Sequence, residues 1–234
     1  MKCRELLEWT RPVSLPGVHS PSPGYSMRQE LAAGKPSEEN MEMGRRIADF
    51  IKKNAKPWLS QVNPATFVLY RGLDYSIKPA FLQSSPKNRK PVDTSRSHHQ
   101  MYNAMIAAVG GKANRSNSIF GTRDFEVALS YGTPYVIIPL GKFSYTYSPQ
   151  WKDWTFVKLG LPTYNWLWRF DPARPKRPDA DDIEKLKKYI RVDRGLKLLR
   201  NSEIMISAPR VLHIDYTIFE YLVRPHLAKK GRKS

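Results

Sequence analysis

Residues 201–207 read Asn201-Ser202-Glu203-Ile204-Met205-Ile206-Ser207, and the fold turns on how this run is taken. Glu203 opens an apolar, β-rich segment, the pattern of a buried strand that emerges at its polar end. Burial of the residues behind it would hold such a carboxylate firmly, although a glutamate at a strand end is commonly only solvated. Before it, 195–200 reads as a short helical piece that delivers the chain to Glu203. Further back, 179–190 predicts a helix with an acidic start and a basic end, which suits the helix dipole. After it, 211–219 predicts a last strand, in which His213 alternates with Leu212 and Ile214 and reads as half-exposed.

Residues 1–36 hold proline, glycine and serine clusters without a period and read as a loose extension. Ser37 then precedes Glu38 and Glu39, and Met43, Ile47, Phe50, Ile51, Ala55, Trp58 and Leu59 recur at helical spacing, with Lys52, Lys53 and Lys56 on a solvated side. Residues 66–70 predict a strand leading into Arg71-Gly72, which puts Arg71 at a strand end beside a glycine that admits close backbone approach. A basic loop over 87–91 precedes a helix over 95–109, stopped by Gly110-Gly111. Its adjacent His98 and His99 point about 100° apart and are expected to be partly exposed, so no metal site is read from them.

The polar run Asn114-Arg115-Ser116-Asn117-Ser118 leads through Ile119-Phe120 and a turn at Gly121-Thr122 to a helix capped by Asp124, carrying Ala128 and Tyr131 and closed by Gly132. Residues 135–140 and 143–147 predict two further strands, with Pro139 marking an edge or a bulge. Trp151, Trp154, Trp166 and Trp168 crowd the stretch to Phe170 and read as core and loop packing. Residues 172–178 form a basic, proline-rich linker, and 229–233 a basic end that can touch phosphates without specificity.

At 234 residues the chain can bury a sizeable core, expected as one domain over 37–225 between the 1–36 extension and a basic tail over 226–234. Lys plus Arg number 39 against 21 Asp plus Glu, a formal charge of +18 that suits a polyanionic partner, nucleic acid first. Cys3 is the sole cysteine, which excludes a disulfide framework and a cysteine-based zinc site and points to a cytoplasmic setting. No apolar run approaches the ~18 residues of a membrane span, so no membrane partner is expected. Neither a Walker-type phosphate loop nor a GxGxxG fingerprint occurs.

Taken together, Tyr70-Arg71-Gly72, Phe120-Gly121-Thr122-Arg123 and Glu203-Ile204-Met205-Ile206 resemble, in order and spacing, the motifs of ADP-ribosyltransferases of the arginine, serine, glutamate type. The whole string also looks like phage-encoded and toxin-like members. The middle element departs from the family pattern, because glycine and arginine stand where serines flank the position of Thr122. The resemblance spans residues 66 to about 219 and implies an α+β fold, with a split-sheet cleft flanked by helices, and NAD as the substrate. It implies that Glu203 is the catalytic carboxylate, that Arg71 holds the diphosphate with Gly72 leaving room, and that Thr122 or Ser118 fixes the cleft. Tyr131, Phe143 or Tyr145 would stack on nicotinamide, and Asn201 would face the acceptor.

Cleavage of the nicotinamide–ribose bond creates an oxocarbenium-like cation, which a nearby carboxylate stabilises, and a diphosphate calls for a guanidinium fork that keeps its proton. Asn201 cannot act as a base, which argues against arginine modification by that route, and the +18 charge points to a polyanionic acceptor, nucleic acid or a protein bound to it. The competing readings are an NAD glycohydrolase, a basic nucleic-acid-binding protein without catalysis, and a structural or virion component.

Overall fold

A computed structural model of the chain describes residues 13–14, 30–31, 33–74, 78–91, 94–151, 166–167, 169–173, 178–199 and 202–228. In chain order the elements are β1 (Val13–Ser14), α1 (Glu38–Asn54), α2 (Lys56–Leu59), β2 (Tyr70–Leu73), β3 (Ala80–Gln83), α3 (Arg96–Ala108), β4 (Ile119–Thr122) and α4 (Phe125–Ser130). There follow β5 (Thr133–Leu140), β6 (Ser144–Tyr147), α5 (Ala180–Tyr189), β7 (Arg191–Val192), β8 (Glu203–Ser207), β9 (Arg210–Asp215), α6 (Tyr216–Ile218) and α7 (Arg224–Ala228). A single 3₁₀ turn, Leu196–Leu198, precedes β8, and a π-helical turn, Phe219–Val223, joins α6 to α7.

The chain divides into two compact units, each drawn from separated segments. Among the described residues the first holds 85–120 and 144–207, and the second 13–84, 121–143 and 208–228. Helices and antiparallel strands mix in both, the α+β composition that the sequence predicts.

In the second unit the strands run in the order β1, β3, β9, β5, β2, and Tyr70 of β2 pairs on with Thr122. Ser37 caps α1 by accepting the Asn40 N–H, and Met43, Ile47 and Ile51 are buried on one face of the helix. The helix breaks at Ala55. Residues 66–69 are not strand: Asn63 holds Ala65, Thr66 and Phe67 in a turn, so pairing begins only at Tyr70 and Arg71 lies inside β2 rather than after it.

Ala80–Gln83, which no sequence signal singles out, is a buried strand beside β9. The last strand ends at Asp215, whose carboxylate accepts the Thr217 and Ile218 N–H groups and starts the helical turns that occupy 216–219. Pro139 lies in an interior strand, but where β2 no longer pairs. Ile137 N–H donates to Leu69 O, so residue 139 turns the same way, beyond the last β2 pair at Val136, and no ladder donor is lost.

His213 is fully buried, against the half-exposed expectation, because β9 has β3 on one side and β5 on the other. Its ring stacks on Phe81 at 4.6 Å and 3°. Burial, and secondarily the Arg71 charge, lowers its pKa to about 3, while the Val211 backbone opposes this at a geometry short of a hydrogen bond. The unfolded chain binds this proton near pH 6.5 and the folded chain does not, so stability is fully present above 6.5 and is lost as pH falls toward 3, by up to ~1.4 kcal/mol per pH unit. His213→Leu is expected to remove this part of the acid dependence and to cost little at pH 7, since neither ring nitrogen has a hydrogen-bond partner. Urea midpoints of both proteins at pH 7 and pH 4.5 check it: the gap between them must move in the variant's favour on acidification.

In the first unit the strand order is β8, β6, β7. Met101, Tyr102, Met105 and Ile106 of α3 meet Leu186 of α5, Met205 of β8, Trp151, Leu167 and Phe170 in one core. Trp151 stacks on Tyr189 at 5.6 Å, and Trp166 meets Phe170 edge-on, the packing role expected of the tryptophans. Trp154 and Trp168 lie outside the described residues. Asp179 and Asp182 form a capping box at the start of α5, and Arg169 reaches both carboxylate oxygens of the buried Asp182 at 3.0 and 2.8 Å.

Candidate functional site

β8 begins at Glu203, and Ile204, Met205 and Ile206 behind it are completely buried. Each such side chain contributes about 1.5–3 kcal/mol of apolar burial, which pins the strand and with it the half-buried carboxylate at its head. The Arg115 guanidinium faces that carboxylate, with Nη1 3.6 Å from Oε1.

Arg115 is itself a buried charge, 7% exposed, and the run around it explains how the chain holds it there. Asn103 on α3 accepts the Arg115 backbone N–H at 3.0 Å and donates to Ser116 Oγ at 2.7 Å. Ser116 Oγ also lies 2.8 Å from His99 Nε2, one turn earlier on α3. Accepting from Arg115 fixes the Asn103 amide orientation, which makes its NH₂ the donor to Ser116 and leaves the hydroxyl hydrogen for His99. A neutral ring accepts that hydrogen bond, and burial, followed by the Arg115 and Arg89 charges, lowers the pKa of His99 in that direction.

Asn114 and Asn117 close the loop by accepting the Ser116 and Asn114 N–H groups, and Ser118 Oγ donates to Asn117 at 3.1 Å. Arg89 enters from the preceding loop, its backbone N–H bonded to Ser116 O at 2.7 Å. The rings complete the site: the Arg115 guanidinium carbon lies 5.2 Å from the Phe120 centroid and 5.6 Å from that of Tyr102, and that of Arg89 lies 4.5 Å from Phe120.

The residues singled out in the sequence divide between the units. Ser118 and Glu203 belong to the first, and Arg71, Gly72, Thr122 and Tyr131 to the second. Arg71 is half-buried opposite Tyr135 in β5. The close approach at Gly72 is to the protein itself, for a Cβ there would stand 2.0 Å from the Ala128 carbonyl oxygen and 2.7 Å from Tyr131 Cβ. Thr122 is buried and its hydroxyl oxygen accepts the Asp124 N–H at 3.0 Å, a local turn bond at the start of α4.

Of the three aromatic candidates, Tyr145 is buried and Phe143 packs on Trp58, while Tyr131 is exposed. Asn201 lies outside the described residues. His99 is buried, not partly exposed as the sequence suggests, because Ser116 gives its ring a partner inside. Among the described residues no group of three or more His, Cys, Asp and Glu side chains could hold a metal, and no helix is long and apolar enough to cross a membrane.

No family model, curated protein or solved structure matches the chain. Its function has to be argued from the site. Sequence reading reached Glu203 and missed Arg115, Arg89, His99 and Asn103. The available signal was the density of amide and hydroxyl side chains over 114–118, a run able to cap its own backbone and present the one cation inside it.

Proposed function

We propose that the chain transfers ADP-ribose from NAD to a macromolecular acceptor, releasing nicotinamide, and that Glu203 is the catalytic carboxylate. The observation that carries this reading is the half-buried Glu203 at the head of a strand pinned by three buried side chains, with a buried guanidinium 3.6 Å away. As the nicotinamide–ribose bond breaks, positive charge grows on the ribose ring, and a fixed carboxylate stabilises it without reorganising. Arg115 restrains the carboxylate from one side, at 3.6 Å.

The antiparallel α+β composition supports an ADP-ribosyltransferase-like fold, which the order of the three sequence motifs suggested. The +18 charge favours a polyanionic acceptor, nucleic acid or a protein bound to it. The same charge favours the second reading, a nucleic-acid-binding protein without catalysis.

NAD labelled in its adenylate half, incubated with the purified chain and separate pools of RNA, DNA and protein, tests the proposal. Label on one pool is the expected result. Free ADP-ribose alone makes the chain a glycohydrolase, and intact NAD beside salt-sensitive nucleic-acid binding makes it the non-catalytic binder.

A further inference from the structure

We propose that His99 is a positioning residue for Glu203: its neutral ring, working through Ser116, holds Arg115 against the carboxylate, and acid releases the pair. His99 and Asn103 lie one turn apart on α3 and so share a face, and both reach Ser116 Oγ, at 2.8 and 2.7 Å. Asn103 also accepts the backbone N–H of Arg115 at 3.0 Å, so two side chains of α3 grip residues 115 and 116 together. The guanidinium that faces Glu203 at 3.6 Å therefore starts from backbone that α3 fixes.

A hydroxyl has one hydrogen to give. With Asn103 donating to Ser116 Oγ, that hydrogen goes to His99 Nε2, which accepts it only while this nitrogen carries no proton of its own. Protonation makes Nε2 a donor and leaves the Ser116 hydrogen without its acceptor. It also sets a third positive charge beside two. The charges acting on the ring are those of Arg115, from the 114–118 run, and Arg89, from the 87–91 loop, while α3 itself carries the exposed Arg96 and the half-buried His98. Burial, followed by the Arg115 and Arg89 charges, keeps the ring neutral at pH 7, and it takes its proton only below its ordinary 6.5. Coupling of His99 to Arg115 stands on these contacts, whereas its effect on NAD cleavage rests on the ADP-ribosyl reading of Glu203.

NMR titration of the full chain between pH 8 and pH 5, beside nicotinamide release over the same range, tests both. The Arg115 and Ser116 amide signals are expected to move with the midpoint of the His99 ring in the wild type. In His99→Gln, which keeps an acceptor oxygen but takes no proton, they should stay still over that step. Nicotinamide release by the wild type is expected to fall on acidification through the same midpoint, in kcat and with KM nearly unchanged. His99→Leu leaves the Ser116 hydrogen without an acceptor at every pH and is expected to lower kcat at pH 7.5 about 10- to 100-fold, the effect of a slightly misplaced group. His99→Gln should recover most of that loss and lack the His99 step in its pH profile. If His99→Leu fails to fold, the wild type and His99→Gln carry the comparison.

An Arg115 signal indifferent to the His99 titration overturns the inference. So does a ring that stays neutral until the chain unfolds, or an acid fall in nicotinamide release that His99→Gln leaves in place. Arg115 signals that follow His99 in a chain releasing no nicotinamide would retire the ADP-ribosyl reading and leave the positioning, whereas nicotinamide release beside an indifferent Arg115 would do the reverse.

Discussion

Glu203→Gln is expected to slow nicotinamide release from NAD by about 100- to 1,000-fold, the usual consequence of removing one preorganised electrostatic group from a site that stabilises developing charge. Glutamine keeps the shape and one acceptor oxygen of the side chain but not its charge. The loss should therefore fall on the chemical step and leave NAD affinity nearly unchanged. The variant also leaves the Arg115 guanidinium without its counter-charge. Because the pair stands at 3.6 Å and the Glu203 side chain is 23% exposed, the cost to stability is about 1–2 kcal/mol rather than that of a fully buried broken pair. Unaltered circular dichroism with the rate lost is the predicted outcome, and a wild-type rate in the variant would remove Glu203 from the chemistry.

Gly72→Ala is expected to act on the fold instead. Its Cβ would stand 2.0 Å from the backbone oxygen of Ala128, which already accepts the Tyr131 N–H at 3.1 Å as α4 ends. A backbone atom cannot rotate aside as a side chain does, so α4 has to shift off β2, at a cost of about 3 kcal/mol, the upper end of ordinary overpacking. The denaturant midpoint should fall accordingly. A midpoint equal to that of wild type would mean that α4 does not rest on β2.

These two substitutions also mark what the sequence could and could not convey. Local chemistry is legible: Ser37 and Asp124 cap the helices they are expected to start, and Ser95 and Asp179, the first residues of two predicted helices, are their caps, because a cap is decided within three residues. Non-local pairing is not. The purpose of Gly72 depends on a helix more than fifty residues later, and the burial of His213 on β3, whose four residues Ala80–Gln83 are too short and too evenly apolar to announce a strand. Residues 216–219 look like strand by composition, and Asp215, a helix cap in its structural role, was the clue against it. At the site, Glu203 could be found from its own strand, but Arg115 gains its meaning only once folding sets it beside a carboxylate eighty-eight residues away.

Glu203-dependent cleavage of NAD is tested most directly by release of nicotinamide by the purified chain. The expected result is nicotinamide formed by the wild type in step with labelled ADP-ribose appearing on a macromolecule or in solution, and almost none formed by folded Glu203→Gln. Intact NAD after prolonged incubation with the folded wild type and all three acceptor pools would contradict it.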